Sequence, residues 1–106
     1  MKKILSVLTC AFILSASAVF SADKVTIQLK WVTQAQFAGY YVAKDKGFYD
    51  AEGLDVTIKP GGPDIAPAQV LAGGGADVMV DWMPSALAAR EKGLPLVNIA
   101  LSLIHI

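Results

Sequence analysis

The chain is short of the residues on which most catalytic and metal chemistry depends. Among its 106 residues there is one cysteine, Cys10, and one histidine, His105. Cys10 lies inside an apolar leading segment, so the remainder holds neither a disulfide framework nor a thiolate nucleophile. A single histidine near the end excludes a zinc site or a histidine-based triad built within the chain. Charge is sparse as well: 17% of residues, with 9 Lys and Arg against 9 Asp and Glu. A nucleic-acid groove would need a basic patch, and none is visible. No apolar run reaches the roughly 18 residues of a membrane-spanning helix.

What is present begins with a basic head, Met1-Lys2-Lys3, an apolar run over Ile4 to Leu14, and then small residues. That order is expected of a secretory signal peptide over residues 1–22. Cleavage is expected after Ala16-Ser17-Ala18, with Val19-Phe20-Ser21 as the second choice. An uncleaved anchor would want a longer apolar core. A lipid-attachment cysteine would want a longer run and small residues ahead of it, whereas Cys10 follows Val7-Leu8-Thr9. Export would also remove Lys2 and Lys3, leaving 7 basic residues against 9 acidic, a net charge near −2.

Residues 23–100 read as alternating strands and helices. Val25, Ile27, Leu29 and Trp31 alternate with polar residues, which predicts a strand with one face inward. The period then changes, predicting a helix from about Ala35 to Lys46 that stops at Gly47. Asp55 to Lys59 is a β-branched run and predicts a second strand; Pro60-Gly61-Gly62-Pro63 breaks it. Asp64 is a plausible N-cap for a helix from Ile65 to about Ala72, with Pro67 in the first turn and the triple glycine at 73–75 ending it. Ala76 to Val80 predicts a third strand, mostly apolar. Pro84 opens a helix to Lys92, stopped by Gly93, and Leu94 to Ala100 predicts a fourth strand. The fold class is therefore α/β: a βαβαβαβ order, a mostly parallel sheet and helices on both faces.

The tail Leu101-Ser102-Leu103-Ile104-His105-Ile106 continues the apolar run without a turn. It also equals one translated frame of a transposon end used in sequencing libraries. Residues 101–106 are therefore expected to be a non-native tail on a truncated chain, against the alternative of a natural strand end. His105 is given no functional role.

Three loops follow the C-terminal ends of the predicted strands, after Trp31, Lys59 and Val80. In an open parallel sheet those ends share one edge, where ligands bind. Trp31, Phe37, Tyr40 and Trp82 offer flat apolar surface for stacking. Gln34 and Gln36 each supply donor and acceptor, and Asp64 and Asp81 accept from ring N–H or hydroxyl groups. Core packing fits Trp31 as well as stacking does, and Tyr41 reads as core. Asp64 can cap a helix and still meet a ligand. Gly61-Gly62 lacks a phosphate-loop lysine and reads as a plain turn.

The segments QFAGYYVAKDKGFYDAEGLDV, GADVMVDW and ALAAREKGLPLV resemble the N-terminal lobe of ABC-transporter substrate-binding proteins. The branch is the one related to thiamine-pyrimidine-precursor synthases, which includes alkanesulfonate, taurine and nitrate binders. QAQFAGYY with PGGPDI looks most like members proposed to bind riboflavin or a pyrimidine precursor. The resemblance covers Lys24 to Ala100 and implies part of the first lobe of a type II periplasmic-binding-protein-like fold. It also implies a small aromatic heterocycle as ligand, a membrane permease as partner, and no cofactor or nucleic acid. Synthase members of the same family use a lysine that holds pyridoxal phosphate and a nearby histidine; the resemblance sets these at Asp81 and Ser85. A carboxylate forms no Schiff base and a hydroxyl is no imidazole donor, so the synthase activity is the disfavoured alternative. An anion binder is the other alternative, and it would want cationic or N–H-rich contacts where Asp64 and Asp81 stand.

Expressed in a Gram-negative host, the chain is expected to reach the periplasm with a mature N-terminus between Val19 and Asp23, read by intact mass. A membrane-retained product still carrying Met1 would contradict the leader assignment.

Overall fold

The computed structural model describes residues 21–101. Most of the expected leader and residues 102–106 of the expected tail lie outside the described residues. Within them a three-stranded sheet has the order β2-β1-β3. Its strands are β1 (Asp23–Gln28), β2 (Leu54–Lys59) and β3 (Val78–Met79), and both pairings are parallel. Four helices connect and follow them: α1 (Ala38–Asp45), α2 (Phe48–Ala51), α3 (Pro67–Ala72) and α4 (Met83–Glu91). The chain thus steps from β1 to β2 on one side and then crosses to β3 on the other. With right-handed crossovers, those opposite steps put α1 and α2 on one face of the sheet and α3 on the other.

The strand register shows why β1 is central. Val25 lies opposite Val56 and Ile27 opposite Ile58, so one face of the β1–β2 pair is continuously apolar. Ile27, Leu29, Phe37 and Val56 form the buried cluster, with Tyr40, Tyr41, Tyr49 and Val80 packed against it. Phe37 is fully buried, a burial that stabilises by about 1.5–3 kcal/mol over an exposed ring. β3 is only two residues long, yet its pairing continues at both ends. The Asp77 amide donates to the Thr26 carbonyl at 2.9 Å and the Val80 amide to the Gln28 carbonyl at 2.8 Å.

Several expectations shift. The helix expected over 35–46 is a 3-10 turn at Ala35–Phe37 followed by α1, and Gly47 ends it with φ 72, a conformation only glycine takes without strain. Asp64 does not cap α3: the N-cap is Ala66, without a side-chain bond, and Asp64 sits exposed in the preceding turn. Leu94–Ala100 forms no strand; Val97 and Ile99 are 80% and 77% exposed. Pro95 has no amide to give a ladder, and the Leu96 amide turns back to the Leu94 carbonyl at 2.8 Å. α4 buries none of its side chains. None of the helices among the described residues is long and apolar enough to cross a membrane.

The tightest packing is backbone on backbone. Gly61 lies across the end of β1: a Cβ built there would collide with the Leu29 carbonyl oxygen and stand 2.6 Å from that of Lys30. The Pro60–Pro63 segment is therefore more than the plain turn expected, because its glycine lets two strand exits touch. Gly61→Ala is expected to cost about 1–3 kcal/mol, typical of overpacking a site that cannot open, measured by urea unfolding. A stability unchanged from the parent would refute that contact.

Tyr49 yields a second prediction. Burial, and then the neighbouring Tyr40 phenol, raise its hydroxyl above the ordinary value of 10.0. The folded state holds this proton more tightly than the unfolded chain, so the contribution is intact below pH 10 and is lost as pH rises through the folded value. Tyr49→Phe is expected to flatten the fall of Tm on the alkaline side, and an unaltered slope would assign that fall elsewhere.

Candidate functional site

The strand order puts a topological switch point between β1 and β3, since the chain leaves β1 in one direction and reaches β3 from the other. The residues that follow these two strands are Leu29-Lys30-Trp31 and Val80-Asp81-Trp82. The third exit, Pro60-Gly61-Gly62 after β2, adjoins the first.

These exits are fastened to one another. The Leu29 amide donates to the Lys59 carbonyl at 2.9 Å, and the Gly61 amide to the Trp31 carbonyl at 2.8 Å. Gln28, only 3% exposed, adds its side chain: Nε2 donates to the carbonyls of Leu29 at 3.0 Å, Pro60 at 3.1 Å and Lys59 at 3.4 Å. A buried carboxamide survives only when its donors are used, and here they tie β2 to β1. On the other side, Lys30 Nζ lies 3.2 Å from Asp81 Oδ1. The same Oδ1 accepts from the Trp82 amide at 2.7 Å, which orients the start of α4.

The expected site residues fall into three groups. Trp31, Asp81 and Trp82 follow the two strands that flank the switch point. Trp31 is half-buried against the core cluster, and Trp82 is 44% exposed. Packing and stacking are therefore both compatible with the position of Trp31. Tyr40 is half-buried on α1 and packs against the core. Gln34, Gln36 and Asp64 are exposed on the loops beyond, and the Gln34 carbonyl accepts from the Phe37 amide at 2.9 Å, closing the 3-10 turn. Phe37 is different: its ring lies wholly inside the core and presents no face to a ligand. Asp81 does not present an unbalanced charge either, because Lys30 neutralises it in a nearly buried pair.

Sequence reasoning missed three residues. Lys30 read as one polar member of a strand alternation, and its partner is remote in sequence. Gln28 carried no signal except a polar residue at the end of a strand. Gly61 needed the approach of the Leu29–Lys30 backbone to be understood. Tyr41, expected as core, also makes a polar contact, since its hydroxyl lies 3.0 Å from Thr33 Oγ1 and tethers the loop after Trp31 to α1. A separate groove of about 380 Å³ runs between α3 and α4, lined by Gln69, Ala72, Ser85, Ala88 and Lys92 among others. It is built of small residues on the helix side and shares none of the switch-point side chains.

Pyridoxal phosphate does not fit the residues present: the position expected to carry its lysine is Asp81, whose carboxylate is engaged with Lys30 and the Trp82 amide. Among the described residues no group of three metal-ligating side chains comes together.

Comparison with known proteins gives a consistent family. A formylaminopyrimidine-binding protein of Halalkalibacterium halodurans is 33% identical over 78 residues, 74% of this chain and 24% of that protein. A putative thiamine biosynthesis protein of Haemophilus influenzae is 32% identical over 81 residues, 76% of this chain and 26% of the relative. A 4-amino-5-hydroxymethyl-2-methylpyrimidine phosphate synthase of Saccharomyces cerevisiae is 30% identical over 81 residues, 76% of this chain and 24% of the enzyme. The chain thus spans about a quarter of the length of these curated relatives. No solved structure matches it significantly. The profile of the family described as NMT1/THI5 like matches residues 34–105, most of the chain, and the chain belongs to that family.

Proposed function

We propose that the chain is part of an exported, non-catalytic substrate-binding protein that captures a small pyrimidine-type heterocycle and delivers it to a membrane permease. The observation that carries the reading is that Trp31, Asp81 and Trp82 all follow the strands at the switch point of a parallel sheet, whose exits Lys30 and Asp81 join, among relatives that include a formylaminopyrimidine-binding protein. Indole faces take up a flat ring, and the polar groups around them fix its orientation. Riboflavin, the other ligand class implied by the loop sequences, would use the same stacking faces and is the comparison compound.

A second reading has its own support, because several relatives are named as synthases of a pyrimidine phosphate. Against it stand Asp81 and Ser85 at the positions of the expected lysine and histidine. Lys30, beside Asp81, is the amine that an aldimine would have to use, and it is held in an ion pair. Adding pyridoxal phosphate separates the two readings: an aldimine absorbance band lost in Lys30→Arg, which keeps the ion pair but has no amine to condense, would favour the enzyme. For an anion binder, Lys30 removes part of the expected repulsion, leaving Asp64 as the exposed acid on this edge.

The test is an NMR titration of the chain with 4-amino-5-hydroxymethyl-2-methylpyrimidine, with riboflavin and an alkanesulfonate in parallel. Shifts are expected at the Trp31 and Trp82 indoles with the pyrimidine. Trp82→Ala is expected to weaken binding by about tenfold, the upper end of one aromatic contact. Shifts confined to the α3–α4 groove, or seen with the sulfonate alone, would overturn the reading.

A further inference from the structure

The Lys30–Asp81 pair has features that a purely structural ion pair would not need. It sits where two adjacent parallel strands end, with the two side chains 17% and 4% exposed. Asp81 spends Oδ1 twice, on Lys30 Nζ and on the Trp82 amide, while Oδ2 makes no hydrogen bond among the described residues. An ammonium carries three donors, and Lys30 directs one at Asp81; the other two have no acceptor among the described residues. An unused acceptor and unused donors therefore stand side by side, next to Trp31 and Trp82.

We propose that this pair is a recognition element rather than a strut, resting on the binding reading above. Its acceptor and donor together complement a heterocycle edge that carries an exocyclic N–H beside a ring nitrogen. Asp81 Oδ2 accepts from the amine, and Lys30 donates to the adjacent ring nitrogen. A 4-aminopyrimidine has that edge. The Oδ1 contacts serve to hold the carboxylate still, so that its orientation is set before a ligand arrives. Lys30 is the specificity residue because it supplies the donor for the ring nitrogen; without its charge, Asp81 would also be a nearly buried anion held by the Trp82 amide alone.

The experiment compares 4-amino-5-hydroxymethyl-2-methylpyrimidine with the analogue in which hydrogen replaces the amine, by NMR or fluorescence titration of the full chain. The parent is expected to prefer the amine at least tenfold, the range of a hydrogen bond to a charged group. Lys30→Arg keeps a donor and should keep the preference. Either single neutral variant leaves a buried charge and puts folding at risk, so the decisive variant is the double Lys30→Met/Asp81→Leu. Replacing both partners by apolar groups commonly leaves stability intact. That variant should unfold near the parental Tm, yet bind the two compounds within about twofold of each other, well short of the parental ratio. If the double variant retains the full preference for the amine, the pair is only structural and the inference falls. If the parent binds both compounds equally, the inference also falls while the pyrimidine reading stands. If the parent binds neither, both fall.

Discussion

Everything at the edge formed by the strand exits depends on how closely the backbone of one loop can approach that of another. Gly61 lies against the carbonyls of Leu29 and Lys30 with no room for a side chain, and its amide is bonded to Trp31. Because the contact is made by main chain, it fixes the position of β2's exit relative to β1's. Gln28 reinforces it from inside the sheet, turning a buried polar side chain into a brace across three carbonyls. Lys30 and Trp31 then leave a fixed base instead of a flexible strand end, and Lys30 can reach β3's exit through Asp81. Three strand ends become one surface.

That surface divides the labour among its residues. Phe37 anchors the 3-10 turn from beneath by filling the core, so the turn that carries Gln34 and Gln36 has a buried root and an exposed crest. Trp31 is held by the core on one side, whereas Trp82 projects from the start of α4. The polar group at the same edge is an ion pair, Lys30 with Asp81, electrically neutral as a unit but rich in directional donors and acceptors.

Much of the framework was legible from local signals. The β-branched β2, the glycine after α1 and the prolines in the first turns of α3 and α4 all act over a few residues and appear where such rules place them, whereas the alternation through Trp31 overran β1, which ends at Gln28. Legibility ended where the deciding neighbour was remote in the chain. Asp64 has the composition of a helix cap, but α3 begins later, at Pro67, and uses no side-chain cap. Leu94–Ala100 has the composition of a strand, but Pro95 and a local turn at Leu96 leave it unpaired. Phe37 and Trp31 look alike as aromatic residues near a turn, and only packing separates the buried ring from the half-exposed one. The link between Lys30 and Asp81 had no sequence signature at all, since it arises from β1 and β3 becoming neighbours across the chain reversal.

The bond between Thr33 and Tyr41 has a kinetic meaning. It is exposed to water and joins two hydroxyls, so exchanging it for solvent costs little, whereas the main-chain clamp behind it stays shut. The edge is therefore stiff at the clamp and yielding at the loop after Trp31, so amide exchange should be slow at Gly61 and fast around Thr33.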